Sequence, residues 1–329
     1  MIKVSCLNDD GTKMDKKNIS VEVLKFIALF LIANSHMDVL YGEYAFLATG
    51  GSVGDVLFFF CSGYTLFLGR MDRFDNWYKR RINRIYPSVF AWALVSSIFF
   101  DVHYDMKDIC LHGGGWFVTC IMLYYVILYI IRKYMFKRNL LVSAIAILVV
   151  IVWYLYEDRT TFFMYGDTYF KWGHYFLFML VGAYVGSNEI KLTLRPMSDW
   201  LICTVCLVAY YVLIFACGKS PMIAQWQILS LIPLMGFTIY LYKLCNSAVF
   251  TRFLSKNKTW ICAISGLCLE VYIVQEPLLT DKMNQIFPLN LVITMIEILI
   301  LAYLVRLLGR VFSQLFNRQN FDWSAVVKL

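Results

Sequence analysis

The most constraining feature of the sequence is a series of long apolar runs. Each run is roughly 17–23 residues long, which is enough for a helix to cross the ~30 Å hydrocarbon core of a bilayer. In hydrocarbon, every backbone N–H and C=O must bond within the protein, so only helices and closed barrels span membranes. Barrel strands would be short segments of alternating polarity, and the sequence has none. The runs therefore predict an all-α, polytopic integral membrane helix bundle.

About ten transmembrane helices can be placed along the chain. We expect them at approximately 19–40, 51–69, 85–101, 115–131, 139–156, 169–187, 200–217, 222–242, 259–279 and 288–308. This arrangement predicts an N-terminal tail over residues 1–18, a transmembrane domain over residues 19–310 and a C-terminal tail over residues 311–329. The chain is 16% charged, against about 25% for an average soluble protein, which agrees with the interpretation.

The distribution of basic residues predicts the orientation. The 30 lysines and arginines outnumber the 22 acidic residues, which gives a net charge of +8. They are spread over the short connections and not gathered in one soluble domain, so we expect no nucleic-acid partner. If the N-terminus is cytoplasmic, only five of them lie in outer connections: Lys107, Arg159, Lys171, Lys219 and Lys282. Because cytoplasmic loops carry the excess of Lys and Arg, both termini are predicted to be in the cytoplasm.

The first span carries three ionisable side chains. Lys25 and His36 are eleven residues apart, which places them on one helix face about 16 Å apart along the axis. Glu22 precedes Lys25 by three residues, close enough for the two to pair. Ionisable residues inside a span are costly and suggest function. The alternative is that Lys25 extends its ammonium to the cytoplasmic interface and that His36 lies at the outer one.

Further polar residues stand at regular positions in the second and third spans. Asp55 and Ser62 are seven residues apart and share a face of the second span, although close helix packing alone would also explain the Ser-Gly pair. Arg81 and Arg84 at the start of the third span are suited to binding phosphates through their planar guanidinium groups. Their other explanation is topology and contact with anionic membrane lipids.

The remaining candidates lie in the fourth, ninth and tenth spans. Trp116 follows His112 and three glycines, a pattern typical of a flexible hinge with an interfacial anchor. Glu270 in the ninth span and Glu297 in the tenth should each face a partner or a cavity. The ten cysteines lie mostly in apolar runs, and Cys203 and Cys206 have no second pair nearby, so we expect packing and no metal site.

Taken in order, these motifs resemble the membrane-bound acyltransferase-3 family, which includes bacterial enzymes that O-acetylate surface polysaccharides. The family's first span carries an acid, then Arg three residues later, then His after ten more residues. The matching positions are Glu22, Lys25 and His36; Gly54-Asp55 through Ser62-Gly63-Tyr64; Arg81, Arg84 and Pro87; Trp116-Phe117; and Cys268-Leu269-Glu270-Val271-Tyr272. Two positions depart from the pattern, since Lys25 replaces the usual Arg and Gln275 replaces a frequent His.

The resemblance implies a membrane O-acyltransferase in the inner membrane of a bacterium. Its donor would be acyl-CoA, most often acetyl-CoA, used as a substrate and not as a bound cofactor. Its acceptor would be a hydroxyl of a cell-surface or lipid-linked glycan. An alcohol that attacks a thioester needs a base near neutral pH, for which His is suited.

The residues can be assigned roles on this basis. His36 is the expected base, with His112 as its rival, and Glu22 or another acid is a possible electrostatic partner. Lys25 would bind a phosphate or stabilise an oxyanion, while Arg81 and Arg84 would hold the CoA phosphates. The remaining substrate-binding candidates are Asp55, Ser62, Trp116, Glu270 and Tyr272.

Two other function classes are compatible with the same residues. In a transporter or flippase for a small or lipid-linked solute, Lys25, Glu270 and Glu297 would be relay or binding groups. Such proteins often have inverted repeats and broken helices, which we do not find in the sequence. A sensor that binds acyl-CoA without turnover would agree with the departures at Lys25 and Gln275.

Overall fold

The structure, a computed structural model, describes residues 18–69, 71–111, 115–159, 163–187, 192–316 and 320–327. Within these ranges the protein is helical and has no strand, so the all-α prediction is confirmed. The principal helices are α1 (Ile19–His36), α2 (Gly51–Leu68), α3 (Phe74–Phe99), α4 (Gly115–Ile130), α5 (Asn139–Tyr156), α6 (Phe170–Gly186), α7 (Pro196–Lys219), α8 (Leu231–Cys245), α9 (Ala248–Lys256), α10 (Lys258–Gly266), α11 (Cys268–Val274), α12 (Leu289–Leu315) and α13 (Trp323–Val327).

Short helical turns connect these helices. They are Asp38–Tyr41, Gly42–Leu47, Met106–Leu111, Ile131–Met135, Phe136–Arg138, Pro221–Ala224, Gln227–Ser230, Glu276–Leu278 and Asp281–Ile286.

Six helical stretches in the described chain are long and apolar enough to cross a membrane, judged by length and composition. They are Ile19–His36, Gly51–Leu68, Gly115–Tyr156, Met197–Lys219, Gln227–Cys245 and Leu289–Leu315. The count of about ten spans and the cytoplasmic termini stay predictions. The two numbers differ because α3 begins with charged turns, α6 has only 17 residues, the ninth predicted span is divided, and the stretch Gly115–Tyr156 covers both the fourth and the fifth predicted spans.

The stretch Gly115–Tyr156 contains two helices that run antiparallel. Tyr124 of α4 donates a hydrogen bond to the carbonyl of Trp172 near the start of α6. Trp153, late in α5, packs its ring 5.8 Å from that of Phe170 at the same end of α6. The chain turns through Ile131–Met135 and Phe136–Arg138. This hairpin agrees with separate fourth and fifth spans.

The centre of the bundle is the contact between α2 and α6, with α1 packed on the other side of α2. A Cβ at Gly63 would lie 1.9 Å from the carbonyl oxygen of Met179, and one at Gly182 would lie 2.0 Å from that of Phe60. Only glycine therefore permits the two backbones to approach so closely. The contact fixes the position of α2, which carries both Asp55 and Ser62.

The predicted ninth span is two helices and not one. Helix α10 ends at Gly266, Leu267 is non-helical with φ −85° and ψ 5°, and α11 begins at Cys268. The carbonyl of Gly266 accepts a hydrogen bond from Arg306 of α12. An arginine on another helix therefore holds the kink, a contact that the apolar pattern of residues 259–279 does not reveal.

Helix α12 shows how the bundle separates its lipid-facing surface from its core. Ile298, Ala302 and Val305 are fully buried on a helix that packs against α3. The opposite face exposes apolar side chains at every fourth position: Val292, Ile296, Ile300, Leu304 and Leu308. Such an apolar exposed face suits a hydrocarbon environment. Together with the six apolar helical stretches, it indicates a membrane protein.

The chain shows no structural break at the predicted domain boundary after residue 310. Helix α12 continues to Leu315. Arg310 then donates a 2.8 Å hydrogen bond to the carbonyl of Val326 in α13. Part of the predicted C-terminal tail therefore packs back against the bundle.

Candidate active site

Two cavities lie along α1, one beside Lys25 in the first half of the helix and the other beside His36, its last residue. We call the one beside Lys25 the inner cavity and the one beside His36 the outer cavity, after the predicted orientation. Their volumes are about 290 Å³ and about 360 Å³ respectively. Helices α1, α2, α4 and α11 each contribute residues to both cavities, so the two ends of the site share one framework.

A layer of aromatic rings separates the cavities. We call Trp116, Phe117 and Tyr272 the aromatic partition. Trp116 and Tyr272 line the outer cavity, and Phe117 lines the inner one. The Phe117 ring lies 5.2 Å from that of Tyr272 and 5.9 Å from that of Trp116. Gly115 adopts a φ of 63° and leaves only 3.0 Å between its ideal Cβ position and the Tyr272 hydroxyl, so a side chain is disfavoured here.

His36 is the last residue of α1, and its exposed side chain lines the outer cavity. Asp38 and Glu276 are the acidic groups that act on it electrostatically. Glu22 lies fourteen residues earlier on the same helix, about 21 Å away along the axis. The hypothesis that Glu22 is the partner of His36 therefore does not fit the geometry. Glu276 was missed because nothing in its sequence position shows that α11 brings it to the end of α1.

Asp55 also lines the outer cavity, together with a lysine that the sequence analysis counted only as an outer charge. Asp55 is hydrogen-bonded to Tyr175. Lys171 is buried, with its Nζ 4.2 Å from the centroid of the Trp116 ring and 3.1 Å from Asp167 Oδ1. The outer cavity thus holds His36, an aspartate and an ammonium group, and its walls include Trp116, Tyr165, Tyr210, Tyr211 and Tyr272.

The predicted Glu22–Lys25 pair is present, and it lies within the bundle. Lys25 Nζ is 2.7 Å from Glu22 Oε1, and the hydroxyl of Ser265 donates a 2.6 Å bond to Glu22 Oε2. Lys25 also lines the inner cavity. The carboxylate of Glu22 thus links α1 to the end of α10.

Glu270 faces the inner cavity, as expected for an acid deep in a span. Ser88 donates a 2.7 Å hydrogen bond to Glu270 Oε1, and Arg306 Nη1 is 3.9 Å from Oε2. Arg306 and Arg310 also line this cavity, although neither was a candidate site residue from the sequence. Glu297 is exposed on α12 and lines neither of these two cavities, so of the two expectations for it, a partner or a cavity, only the partner stays a prediction.

The structure separates two pairs that the sequence grouped together. Arg84 lines the inner cavity, whereas the Arg81 guanidinium stacks 5.1 Å from the Trp77 ring and 5.8 Å from the Tyr125 ring. Ser62 opens to the inner cavity and Asp55 to the outer one. His112, the rival base, lies outside the described residues.

The comparisons with known proteins give one positive result. A family model described as an acyltransferase domain matches residues 18–311. No curated protein and no solved structure matched the chain. The match extends over both cavities and the aromatic partition, and it covers most of the 329 residues. The chain therefore belongs to the membrane-bound acyltransferase-3 family.

Proposed function

We propose that the protein transfers an acyl group from acyl-CoA in the inner cavity to a glycan hydroxyl in the outer cavity. The observation that carries this proposal is the arrangement of two cavities that meet at the aromatic partition. A cavity lined by three arginines and a lysine lies on one side of it, and a cavity with a candidate base lies on the other. We propose acetyl as the acyl group, a cell-surface or lipid-linked saccharide as the acceptor, and the inner membrane of a bacterium as the location.

The charge of the inner cavity suits a phosphorylated donor. Its lining includes the cations Lys25, Arg84, Arg306 and Arg310 and the anion Glu270. Arginine forks bind phosphate oxygens through paired, charge-assisted hydrogen bonds. The nucleotide part of acyl-CoA would occupy the arginine end, and the uncharged pantetheine arm would extend past Ser62 towards Phe117.

The lining of the outer cavity suits a sugar acceptor. Ligand sites combine apolar and aromatic walls with a few placed polar groups, and here Trp116, Tyr210 and Tyr211 surround His36 and Asp55. Aromatic rings offer flat faces for the C–H side of a sugar, and hydroxyl and carboxylate groups offer bonds to its O–H groups.

The proposed reaction needs no covalent change in the protein. His36 takes the proton of the acceptor hydroxyl, and the oxygen attacks the thioester carbonyl carbon. The resulting tetrahedral intermediate collapses with cleavage of the C–S bond, and His36 returns the proton to the departing CoA thiolate. Asp38 and Glu276 favour the positive charge that His36 carries between the two steps, whereas the ammonium group of Lys171 opposes it.

The test compares surface glycans from cells with and without the protein by mass spectrometry. We expect a glycan that carries an acyl group only when the protein is present, and loss of that group in cells that express His36→Ala. Identical glycans in both strains would contradict an acyltransferase function. Movement of an unmodified solute or lipid across proteoliposomes would favour the transporter or flippase.

A further inference from the structure

The proposed reaction develops a negative charge that the protein must stabilise. The carbonyl oxygen of the thioester becomes an oxyanion when the acceptor attacks, and enzymes stabilise such charge with fixed donors. Lys25 was the first candidate for this role. Its ammonium group is bound to Glu22 at 2.7 Å and lines the inner cavity, and its Cα lies about 16 Å along α1 from that of His36.

Lys171 is the cation that shares a cavity with His36. Of the described residues that line the outer cavity, it is the only Lys or Arg. Its side chain is 8% exposed, and its charge acts on both His36 and Asp55. Helix α6, which carries it, is held against α2 by the glycine contacts at Gly63 and Gly182.

The location of Lys171 on the aromatic partition gives it a specific role. Its ammonium group lies 4.2 Å from the centroid of the Trp116 ring, on the outer side of the layer that the acyl group must reach. A buried charge acts more strongly than an exposed one because less water screens it. The ammonium group also pairs with the fully exposed carboxylate of Asp167, at a distance of 3.1 Å.

We propose that Lys171 is a catalytic residue that stabilises the oxyanion formed beside His36. This inference rests on the proposed acyl transfer. When the acceptor oxygen bonds to the carbonyl carbon, the C=O electron pair moves to oxygen, and the Lys171 ammonium group donates a hydrogen bond to it. The pair returns as the C–S bond breaks, so Lys171 neither gains nor loses a proton overall.

The test is steady-state kinetics of acyl transfer by the purified full chain. Lys171→Met should lower kcat about 10²–10³-fold, the usual cost of losing one oxyanion donor, with little change in KM for acyl-CoA. Lys171→Arg should retain part of the activity. Lys219→Met is the matched control, because Lys219 is an exposed lysine at the end of α7, and it should behave as the wild type.

Chemical rescue distinguishes a catalytic role of Lys171 from a purely structural one. Ethylammonium added to Lys171→Ala should restore part of kcat, because the small cation can enter the space of the missing side chain. If Lys171 only held Trp116 and Asp167 in position, a free small cation would not replace it. Failure of rescue in a Lys171→Ala protein that still binds acyl-CoA would overturn the inference, as would a near-normal kcat of Lys171→Met.

Two further outcomes distinguish this inference from the proposed function. If Lys25→Met loses kcat while Lys171→Met keeps it, acyl transfer stands and the oxyanion role belongs to Lys25. If the wild type itself transfers no acyl group, the proposed function fails and the role of Lys171 fails with it.

Discussion

At the scale of single residues, the proposed chemistry depends on side chains that lie far apart along two cavities. The pair Glu22–Lys25 was predictable because its members are one helical turn apart. The charges that act on His36 from Glu276 and Lys171 were not, since both residues are distant from it in the sequence and no local spacing predicts such an interaction. The arginines of α12 were missed for the same reason.

The first residue-scale prediction concerns the base. His36→Ala should lower the rate of acyl transfer about 10²–10⁴-fold, the usual contribution of a general base. The rate is measured in membranes, with the protein level checked by immunoblot. His103→Ala is the control, because that side chain is 70% exposed beside Asp101 and lines neither cavity. Near-normal transfer by His36→Ala would remove it from the mechanism.

The second residue-scale prediction separates the two arginines of α3. Arg84→Ala should weaken acyl-CoA binding more than tenfold, since a charged hydrogen bond contributes about 1.5–3 kcal/mol. Arg81→Ala should act mainly on stability, because its guanidinium stacks on Trp77 and Tyr125.

Titration calorimetry of the purified variants with acyl-CoA measures the difference between the two arginines. Lys79→Ala provides an exposed basic control on the same helix. Equal loss of affinity in Arg81→Ala and Arg84→Ala would contradict the separation.

At the scale of helices, the apolar runs located the elements well and their interruptions poorly. Each of the ten predicted segments overlaps helix, because hydropathy and length report what can lie in hydrocarbon. The kink at Leu267 was not predicted, since the apolar run of residues 259–279 continues across it. Its stabilising contact comes from Arg306, forty residues further along the chain.

The element-scale prediction tests the contact between α2 and α6. Gly182→Ala should lower the melting temperature of the detergent-solubilised protein by several degrees, since forced overpacking costs about 1–3 kcal/mol. Gly218→Ala is the same substitution at a helical glycine with no atom within 4 Å of the new Cβ. That variant should melt at or slightly above the wild-type temperature. If both variants had the same melting temperature, α2 and α6 could move apart to accommodate a side chain without loss of stability.

At the scale of the whole molecule, the order of the motifs identified the family, while the division into two cavities came only from the fold. The sequence placed Asp55 and Ser62 on one face, and both do face the interior, but the aromatic partition lies between them. No pattern in one helix could reveal this layer, because its three rings come from α4 and α11.

The prediction at this scale is the orientation. Reporter fusions at Asp72 and after Arg138 should report the cytoplasm, and fusions at Asp105 and Asp158 should report the outside, as the distribution of Lys and Arg requires. The fusions are read with a pair of reporters that are active on opposite sides of the membrane. A reversed result at two of the four sites would exchange the inner and outer cavities.

The aromatic partition also has an electrical consequence. Two cavities open to water on opposite sides would concentrate the membrane voltage across the thin ring layer, where one elementary charge moved through 100 mV involves about 2.3 kcal/mol. In the proposed reaction the phosphates stay on one side, the acyl group crosses as part of an uncharged thioester, and the sulfur returns as a thiol that carries the proton from His36, so no net charge crosses. Transfer should therefore proceed at the same rate in energised and de-energised membranes, so that the cell could modify its outer surface without drawing on an ion gradient.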